Sequence, residues 1–243
     1  MTASPRSTSA PESRVPQRDV ADALASAPLF RGLPRREIDQ IASRMVRRRY
    51  ARGDVIMSQG AAAGGMHVIS RGSVKITIAS DEGKEMILAI LRAGELFGEI
   101  AALDGGARSA TVTANEAVET AALSRADLLE FVVAHPEFAI RLIATLAQRL
   151  RQVDERLEDA HFLDLDTRLA KALADLSEQQ GQPQPDGAVR LQLTQSELAS
   201  MIGATRVSAN RLLKTFEAAG LVRRGRSAIV VTNLEALRFR AGR

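Results

Sequence analysis

The 243-residue chain contains no cysteine and no tryptophan, and aromatic residues make up only 3% of it. Without cysteine it cannot hold a disulfide framework, a cysteine-ligated zinc or iron–sulfur centre, or a cysteine nucleophile. No apolar run approaches the ~18–20 residues of a membrane span, so we expect neither a transmembrane protein nor a membrane partner. The lack of cysteine is consistent with a reducing compartment, and we expect a cytoplasmic protein.

Catalytic and metal-binding patterns are equally scarce. Of the three histidines, His67 and His135 lie far apart in the sequence, and neither is near a carboxylate or thiol pattern. We find no Ser/His/Asp set, no paired carboxylates and no metal-ligand spacing. The sequence therefore predicts neither an enzyme nor a metal-binding protein.

Positive charge is concentrated near the C-terminus. The formal net charge is +4, and residues 1–160 balance 21 Lys/Arg with 21 Asp/Glu. From Leu191 to the end, nine Lys/Arg face three Asp/Glu. A neutral body with a basic end is typical of a sensing or catalytic module joined to a nucleic-acid-binding one. A chance asymmetry of the solvated surface would look the same, so charge alone leaves the question open.

The first half of the chain changes character twice. Residues 1–18 are mostly Ser, Pro, Ala and Arg, which predicts a disordered tail. From Val20 to Met45, helical spacing around a break at residues 30–34 predicts two or three short helices. After Val46, short apolar runs between glycines predict a β jelly roll. The runs are Val55–Ile56, Met66–Ile69, Val74–Ile78, Met86–Ile90 and Ala110–Val112.

Helix returns at Arg125 and then carries an apolar seam. Its positions alternate in steps of four and three: Ala139, Ile143, Leu146, Leu150, Val153, Leu157 and Ala160. That spacing is the a/d pattern of a coiled coil, and it favours a helix over 137–162 that pairs with its twin in a homodimer. The alternative is an amphipathic helix lying on its own sheet.

The C-terminal part carries the pattern of a helix-turn-helix. A helix from Asp166 to about Gln179 is followed by a loop over residues 180–187. Thr194 and Glu197 then have the spacing of a capping box, which starts a helix that stops near Gly203. The next helix is expected to turn Val207, Leu212, Leu213 and Phe216 inward and to present Arg206, Arg211 and Lys214. Residues 221–231 then predict a hairpin, the wing, with Arg223, Arg224 and Arg226 at its tip.

The segment Gly94–Ala110 has the parts of a phosphate and sugar site. Glycine lets the backbone approach a ligand, and the short helical turn after it offers N–H groups to an anion. Arg108 can donate two parallel hydrogen bonds to a phosphate, Ser109 adds a hydroxyl, and Glu99 can accept from a sugar hydroxyl. A glycine-rich turn with a surface arginine is the alternative, and these residues alone leave both open.

Phe97–Gly98–Glu99 followed nine residues later by Arg108–Ser109–Ala110 resembles the phosphate-binding cassette of cyclic-nucleotide-binding domains. With the jelly roll, the long helix and the winged helix, residues 20–232 resemble the CRP/FNR family of bacterial transcription regulators, and within it the cyclic-AMP receptor branch. The resemblance implies an α+β chain with a cyclic-nucleotide-binding jelly roll over 19–136, a dimerisation helix over 137–162 and a DNA-binding winged helix over 163–243.

The resemblance also implies an allosteric ligand, cyclic AMP or cyclic GMP. Gly98 and Glu99 would meet the ribose 2′-hydroxyl, Ile100 belongs to the same cassette, and Arg108 and Ser109 would fix the cyclic phosphate. On the long helix, Val153 and Asp154 stand where the branch has an adjacent Thr-Ser pair that contacts adenine. Asp154 could accept from guanine N1–H and N2–H, or could face solvent beside Arg151, so the base stays open.

The implied function is a dimeric, sequence-specific regulator that binds a palindromic DNA operator and acts with RNA polymerase. Arg206 and Arg211 would contact guanine. Val207 stands in place of a glutamate that accepts from cytosine, and it can only touch a thymine methyl or pack, so the operator should differ from the branch's own. The full set of expected DNA contacts is Thr194, Thr205, Arg206, Val207, Ser208, Arg211, Lys214, Arg223, Arg224 and Arg226.

Two alternatives to this function stay open. The first is a regulator of the same fold whose cassette is vestigial, so that it acts without ligand or senses another signal. The second, from a different class, is a cyclic-nucleotide-gated subunit of an enzyme, against which the basic winged helix argues.

Overall fold

A computed structural model describes residues 17–79, 85–225 and 228–242. The predicted tail therefore lies outside the described residues, except that the first helix begins at Gln17, two residues before the expected boundary. The helices are α1 (Gln17–Ser26), α2 (Arg35–Arg44), α3 (Glu99–Asp104), α4 (Arg125–Ala134), α5 (Pro136–Phe162), α6 (Leu165–Gln180), α7 (Gln195–Met201), α8 (Arg206–Ala218) and α9 (Leu234–Arg240).

The strands of the described residues fall into three four-stranded sheets. They are β1 (Val46–Tyr50), β2 (Val55–Met57), β3 (Met66–Arg71), β4 (Ser73–Ala79), β5 (Glu85–Arg92), β6 (Leu96–Phe97), β7 (Thr111–Ala114), β8 (Val118–Leu123), β9 (Gln182–Pro183), β10 (Val189–Leu191), β11 (Val222–Arg224) and β12 (Ile229–Val231). The sheet orders are β1-β8-β3-β6, β2-β7-β4-β5 and β11-β12-β10-β9. The chain divides into two compact units between Gln148 and Arg149 within α5, with Glu85–Ile87 grouped in the second.

The first two sheets form the sandwich that the apolar runs predict. Strand β3 shows why: Met66 and Val68 face one side and Ile69 the other, as the two-residue period of a strand requires. Ile69 joins Phe97 and residues of the facing sheet in a core between the sheets. The interior of the first unit is therefore filled from both faces of one sheet.

Helices cover the outer face of the sheet that contains β3. The side chains of Ile41, Phe131 and Phe138 are buried against Met66 and Val68. The rings of Phe131 and Phe138 meet edge to face with centroids 5.0 Å apart, a favourable aromatic arrangement. The start of α5 is thereby anchored in the first unit.

The second unit has its own core between α6, α7, α8 and the small sheet. Leu169 and Leu173 of α6 pack with Leu213 and Phe216 of α8 and with Ile229 of β12. All five side chains are fully buried. Of the residues expected to turn inward on α8, Leu213 and Phe216 are therefore buried as the helical spacing predicts.

Five of the described strands match none of the apolar runs or the hairpin expected from the sequence: β1, β6, β8, β9 and β10. Strand β1 contains Arg47, Arg48 and Arg49, yet Arg47 and Arg49 both donate to Glu119 across the pair with β8. Strand β8 has Glu119, Ala121 and Ala122 at positions where β-branched residues would mark a strand, and β6 is only two residues long. The expected loop over 180–187 is also wrong in part, because Gln182 and Pro183 form β9 against β10.

Candidate functional site

The cassette is built around the turn from β6 into α3. Gly98 ends the strand with φ of 81°, a left-handed conformation that favours glycine. The next residue, Glu99, begins α3 and is only 2% exposed. Because glutamate is rarely so buried, the position of this carboxylate is set by the surrounding protein. This turn brings Gly98 and Glu99 to the edge of the sandwich.

Arg108 is fixed from both ends. Its guanidinium donates from Nη1 to the Gly98 carbonyl and from Nη2 to the Gly65 carbonyl, each at 2.7 Å. Its backbone N–H donates to the Ala61 carbonyl and its own carbonyl accepts from the Gly60 N–H, both at 2.8 Å. A guanidinium carries five N–H donors, so these two side-chain bonds leave three for another acceptor. The side chain is 8% exposed.

Two glycines make the space for that guanidinium. A Cβ at Gly98 would lie 2.8 Å from Nη1 of Arg108 and 2.7 Å from Cε of Met57. A Cβ at Gly64 would lie 2.8 Å from Nη2. These distances are shorter than van der Waals contact, so a side chain at either position would displace the arginine.

The electrostatics of the cassette favour an anion. Burial lowers the pKa of Arg108, and the nearby Glu99 carboxylate partly offsets this. The guanidinium nevertheless stays charged, because the pKa of free arginine lies far above neutral pH. A positive charge held in a partly dehydrated site attracts a phosphate more strongly than the same charge in water.

His67 supports the turn from the neighbouring strand. Its ring stacks on Phe97 with centroids 5.0 Å apart, and Nδ1 lies 2.9 Å from Oγ1 of Thr120. Burial, together with the positive charges of Arg108 and Arg48, lowers the pKa of His67 to about 4. His67 is therefore neutral at pH 7 and holds Phe97, the residue that precedes Gly98.

The structure brings together only part of the predicted set. Gly98, Glu99 and Arg108 converge, whereas Ile100 and Ser109 of the same cassette are exposed to solvent. Val153 and Asp154 are exposed on α5, beyond the point where the second unit begins. Their contact with a base stays a prediction.

Sequence reasoning missed Gly64 and Gly65, although a glycine pair directly before β3 is visible in the sequence. The bond from Arg108 to Gly65 spans 43 residues. No local pattern relates two positions so far apart, so only the folded sheet links them.

Helix α5 buries one face and exposes another. Phe138 and Leu142 are buried in the first core, whereas Ile143, Leu150, Val153 and Leu157 of the apolar seam are 58–70% exposed. The alternative in which this seam lies on the chain's own sheet is therefore wrong for these four residues. An apolar stripe of that length is expected to be covered by a partner helix.

The helix-turn-helix forms where the sequence predicts it. At α7 the capping box is complete: Oγ1 of Thr194 accepts from the Glu197 N–H at 3.2 Å, and Oε2 of Glu197 accepts from the Thr194 N–H at 2.7 Å. Gly203, with φ of 66°, makes the turn. At α8, Oγ1 of Thr205 accepts from the Ser208 N–H at 3.1 Å. Thr194 and Thr205 are therefore helix caps, and their contact with DNA stays a prediction.

Helix α8 buries Ala209, Leu213 and Phe216. Four exposed residues form what we call the outer face of α8: Arg206, Val207, Arg211 and Lys214. The expectation that Val207 turns inward is wrong, since its side chain is 79% exposed. Val207 lies two residues before Ala209, about 200° around the helix, and so points away from the core.

The wing arginines differ from one another. Arg224 is half-buried, and donates from Nε to Oε2 of Glu217 at 2.7 Å and from Nη1 to Oδ1 of Asn210 at 2.9 Å. Its backbone N–H and side chain hold the pKa of Glu217 below its usual range. Arg224 is therefore engaged within the protein, and its contact with DNA stays a prediction.

Arg223 is exposed and donates from Nη2 to Oδ2 of Asp186 at 2.9 Å. That bond is the main reason why the pKa of Asp186 is lowered. A surface pair of this kind is weak and can exchange partners. The predicted contact residue Arg226 lies outside the described residues.

Comparison with known proteins adds independent evidence. Residues 47–135 match the model of the cyclic nucleotide-binding domain, and residues 167–240 match that of the Crp-like helix-turn-helix domain. The first match contains the cassette, and the second contains α7, α8 and the wing. No described helix is both long and apolar enough to cross a membrane.

Relatives that match most of the chain indicate the same kind of protein as these two domain matches. The chain is 30% identical over 220 residues to the CRP-like cAMP-activated global transcriptional regulator of Mycobacterium tuberculosis, covering 90% of this chain and 98% of the relative. It is 36% identical over 208 residues to the cyclic AMP receptor protein of Thermus thermophilus, covering 86% and 94%. Among solved structures, the c-di-GMP responsive regulator CLP of Xanthomonas campestris matches with a TM-score of 0.74 at 25% identity, covering 82% and 100%.

These matches cover both parts of the architecture and nearly the full length of each relative. The fold is thus α+β, with a cyclic-nucleotide-binding β domain, a long helix and a C-terminal helix-turn-helix domain with a small sheet. The family consists of transcription regulators and not enzymes. The chain belongs to the CRP/FNR family of DNA-binding transcription regulators.

Proposed function

We propose that the protein is a homodimeric transcription regulator whose binding to a palindromic operator is controlled by a cyclic mononucleotide, cyclic AMP or cyclic GMP. The observation that carries the ligand site is Arg108, a buried cation fixed by the carbonyls of Gly98 and Gly65. Such a group is preorganised, so a phosphate gains its hydrogen bonds without ordering a flexible side chain. Glu99 next to it accepts a ribose hydroxyl, and the exposed Ser109 hydroxyl completes the phosphate contacts.

The base is proposed to meet α5 at Val153 and Asp154. A valine offers no hydrogen bond to adenine, whereas a carboxylate can accept two from guanine, at N1–H and N2–H. The ligand that the relatives in Mycobacterium tuberculosis and Thermus thermophilus are named for is cyclic AMP. Since the residues and the relatives favour different bases, both ligands belong in the test.

The dimer is proposed to form along the exposed seam of α5. Two copies of this helix would place two outer faces of α8 about one DNA turn apart, as a palindromic operator requires. Ligand bound near α5 would favour one arrangement of the pair over another. RNA polymerase is proposed as the partner through which the bound regulator acts.

Calorimetry with cyclic AMP and cyclic GMP tests the ligand. We expect one of the two to bind with micromolar or better affinity, and Asp154→Ala to weaken cyclic GMP by about 10–100-fold while leaving cyclic AMP unchanged. Arg151→Ala, an exposed neighbour on the same helix, is the control. Equal loss of both nucleotides in the Asp154 variant would show that Asp154 does not contact the base.

The alternative function is a regulator with a vestigial cassette or a different ligand. It is favoured by Val153 and Asp154, which depart from the Thr-Ser pair of the cyclic-AMP receptor branch, and by a related structure described as c-di-GMP responsive. Cyclic di-GMP is therefore the third titrant. If neither mononucleotide binds while operator DNA is still bound, this alternative replaces the proposal.

Arg223 and Arg224 are expected to differ in their effect on DNA. Arg223→Ala removes an exposed cation, so it should weaken specific and scrambled duplexes alike and lower the salt slope by about one unit per subunit. Arg224→Ala should leave the salt slope unchanged but lower the melting temperature by roughly 2–5 °C, because Glu217 and Asn210 lose their partner. Binding curves at three salt concentrations measure the slope. Equal slopes for both variants would contradict this assignment.

A further inference from the structure

Val207 is the one large apolar side chain exposed on α8, every residue of which the structure describes. It is 79% exposed, in contrast to the buried Ala209, Leu213 and Phe216. It belongs to the first turn of the helix, next to Arg206 and one turn before Arg211. An apolar side chain so exposed among cations has no packing role in the chain itself.

The surroundings of Val207 indicate what covers it. Arg206, Arg211 and Lys214 on the same outer face are exposed, so the face is basic and complementary to DNA. The first turn of a recognition helix is the part that contacts base edges in the major groove. In that groove the one apolar group on a base edge is the C5-methyl of thymine.

We propose that Val207 is a specificity-determining residue that contacts the C5-methyl of a thymine in each operator half-site. This inference rests on the proposed operator binding and adds the base type at one position. Valine presents two methyl groups on a β-branched stem with little rotamer freedom, so the contact requires little ordering. It neither donates nor accepts a hydrogen bond, so it cannot favour cytosine or guanine at that position.

The experiment removes the methyl group and nothing else. The full-length chain, with a cyclic nucleotide if calorimetry identifies one, is used to select an operator from random duplexes. Each thymine of the selected half-site is then replaced by deoxyuridine, and binding is followed by fluorescence anisotropy. Val207→Ser is compared with wild type, and Ala218→Ser, an exposed position at the other end of α8, is the matched control.

We expect one thymine position whose replacement weakens wild-type binding about fourfold in one half-site and about fifteenfold in both, the effect of one methyl group per contact. Val207→Ser should bind the thymine operator more weakly and show no loss with deoxyuridine, whereas Ala218→Ser should behave as wild type. Both variants change exposed side chains, and their melting curves should match that of the wild type.

Two results would overturn the inference. If no thymine position depends on its methyl group, or if Val207→Ser loses affinity with deoxyuridine as much as wild type does, Val207 does not contact that methyl. Sequence-specific binding without methyl dependence overturns this inference and leaves the proposed function intact. Failure of the wild type to prefer any selected duplex over a scrambled one overturns both.

Discussion

Replacing Arg108 by alanine is expected to abolish measurable cyclic-nucleotide binding. The phosphate would lose a charged partner with three available N–H groups in a partly dehydrated site, a loss of about 2–5 kcal/mol of binding free energy. The measurement is calorimetry on the variant and the wild type. Unchanged affinity would show that the cassette does not bind the nucleotide.

The fold must be monitored in this experiment, because Arg108 also bridges Gly98 and Gly65. Alanine leaves both carbonyls without that donor and should lower the melting temperature. Arg108→Lys keeps the charge but cannot reach both carbonyls and the phosphate in the same geometry, so we expect intermediate affinity. Arg52→Ala, at an exposed arginine between β1 and β2, should bind as wild type.

Leu150→Asp is expected to convert the dimer into monomers that no longer retard operator DNA. Leu150 is 62% exposed in the single chain, so the substitution should not disturb folding of the protomer. In the proposed dimer it would place two carboxylates opposite each other in an apolar seam, which raises the dimer dissociation constant by at least about a hundredfold. Light scattering at micromolar protein measures the mass.

The matched control is Gln148→Asp. This exposed residue also lies on α5, on the opposite side of the helix from the seam. It adds the same charge without entering the proposed interface, so the protein should remain a dimer. A dimer in the Leu150 variant would show that the seam or its register is wrong.

Features encoded by neighbouring residues could be predicted from the sequence. The capping box of Thr194 and Glu197 forms with both of its hydrogen bonds, because all of its atoms lie within one helical turn. The turn at Gly98 has a left-handed φ, which a glycine at that position allows. The seam of α5 is recognisable because helical spacing is local.

Features that depend on residues far apart in the sequence could not be predicted from it. The placement of Arg108 depends on Gly65, and three arginines form a strand because Glu119 lies across the pair from Arg47 and Arg49. In the sequence, Arg224 cannot be distinguished from the other arginines of the wing, but in the structure Glu217 holds its side chain. In each case the sequence shows a charge, and only the fold shows which group meets it.

Operator affinity with and without the cyclic nucleotide tests the central claim most directly. The selected duplex is titrated with the full-length protein, first without nucleotide and then at saturating concentrations of the one that binds. We predict that the nucleotide raises operator affinity by about 10–100-fold, and that operator DNA raises nucleotide affinity by the same factor, since the coupling free energy is reciprocal. Equal operator affinity in the two conditions would contradict the account.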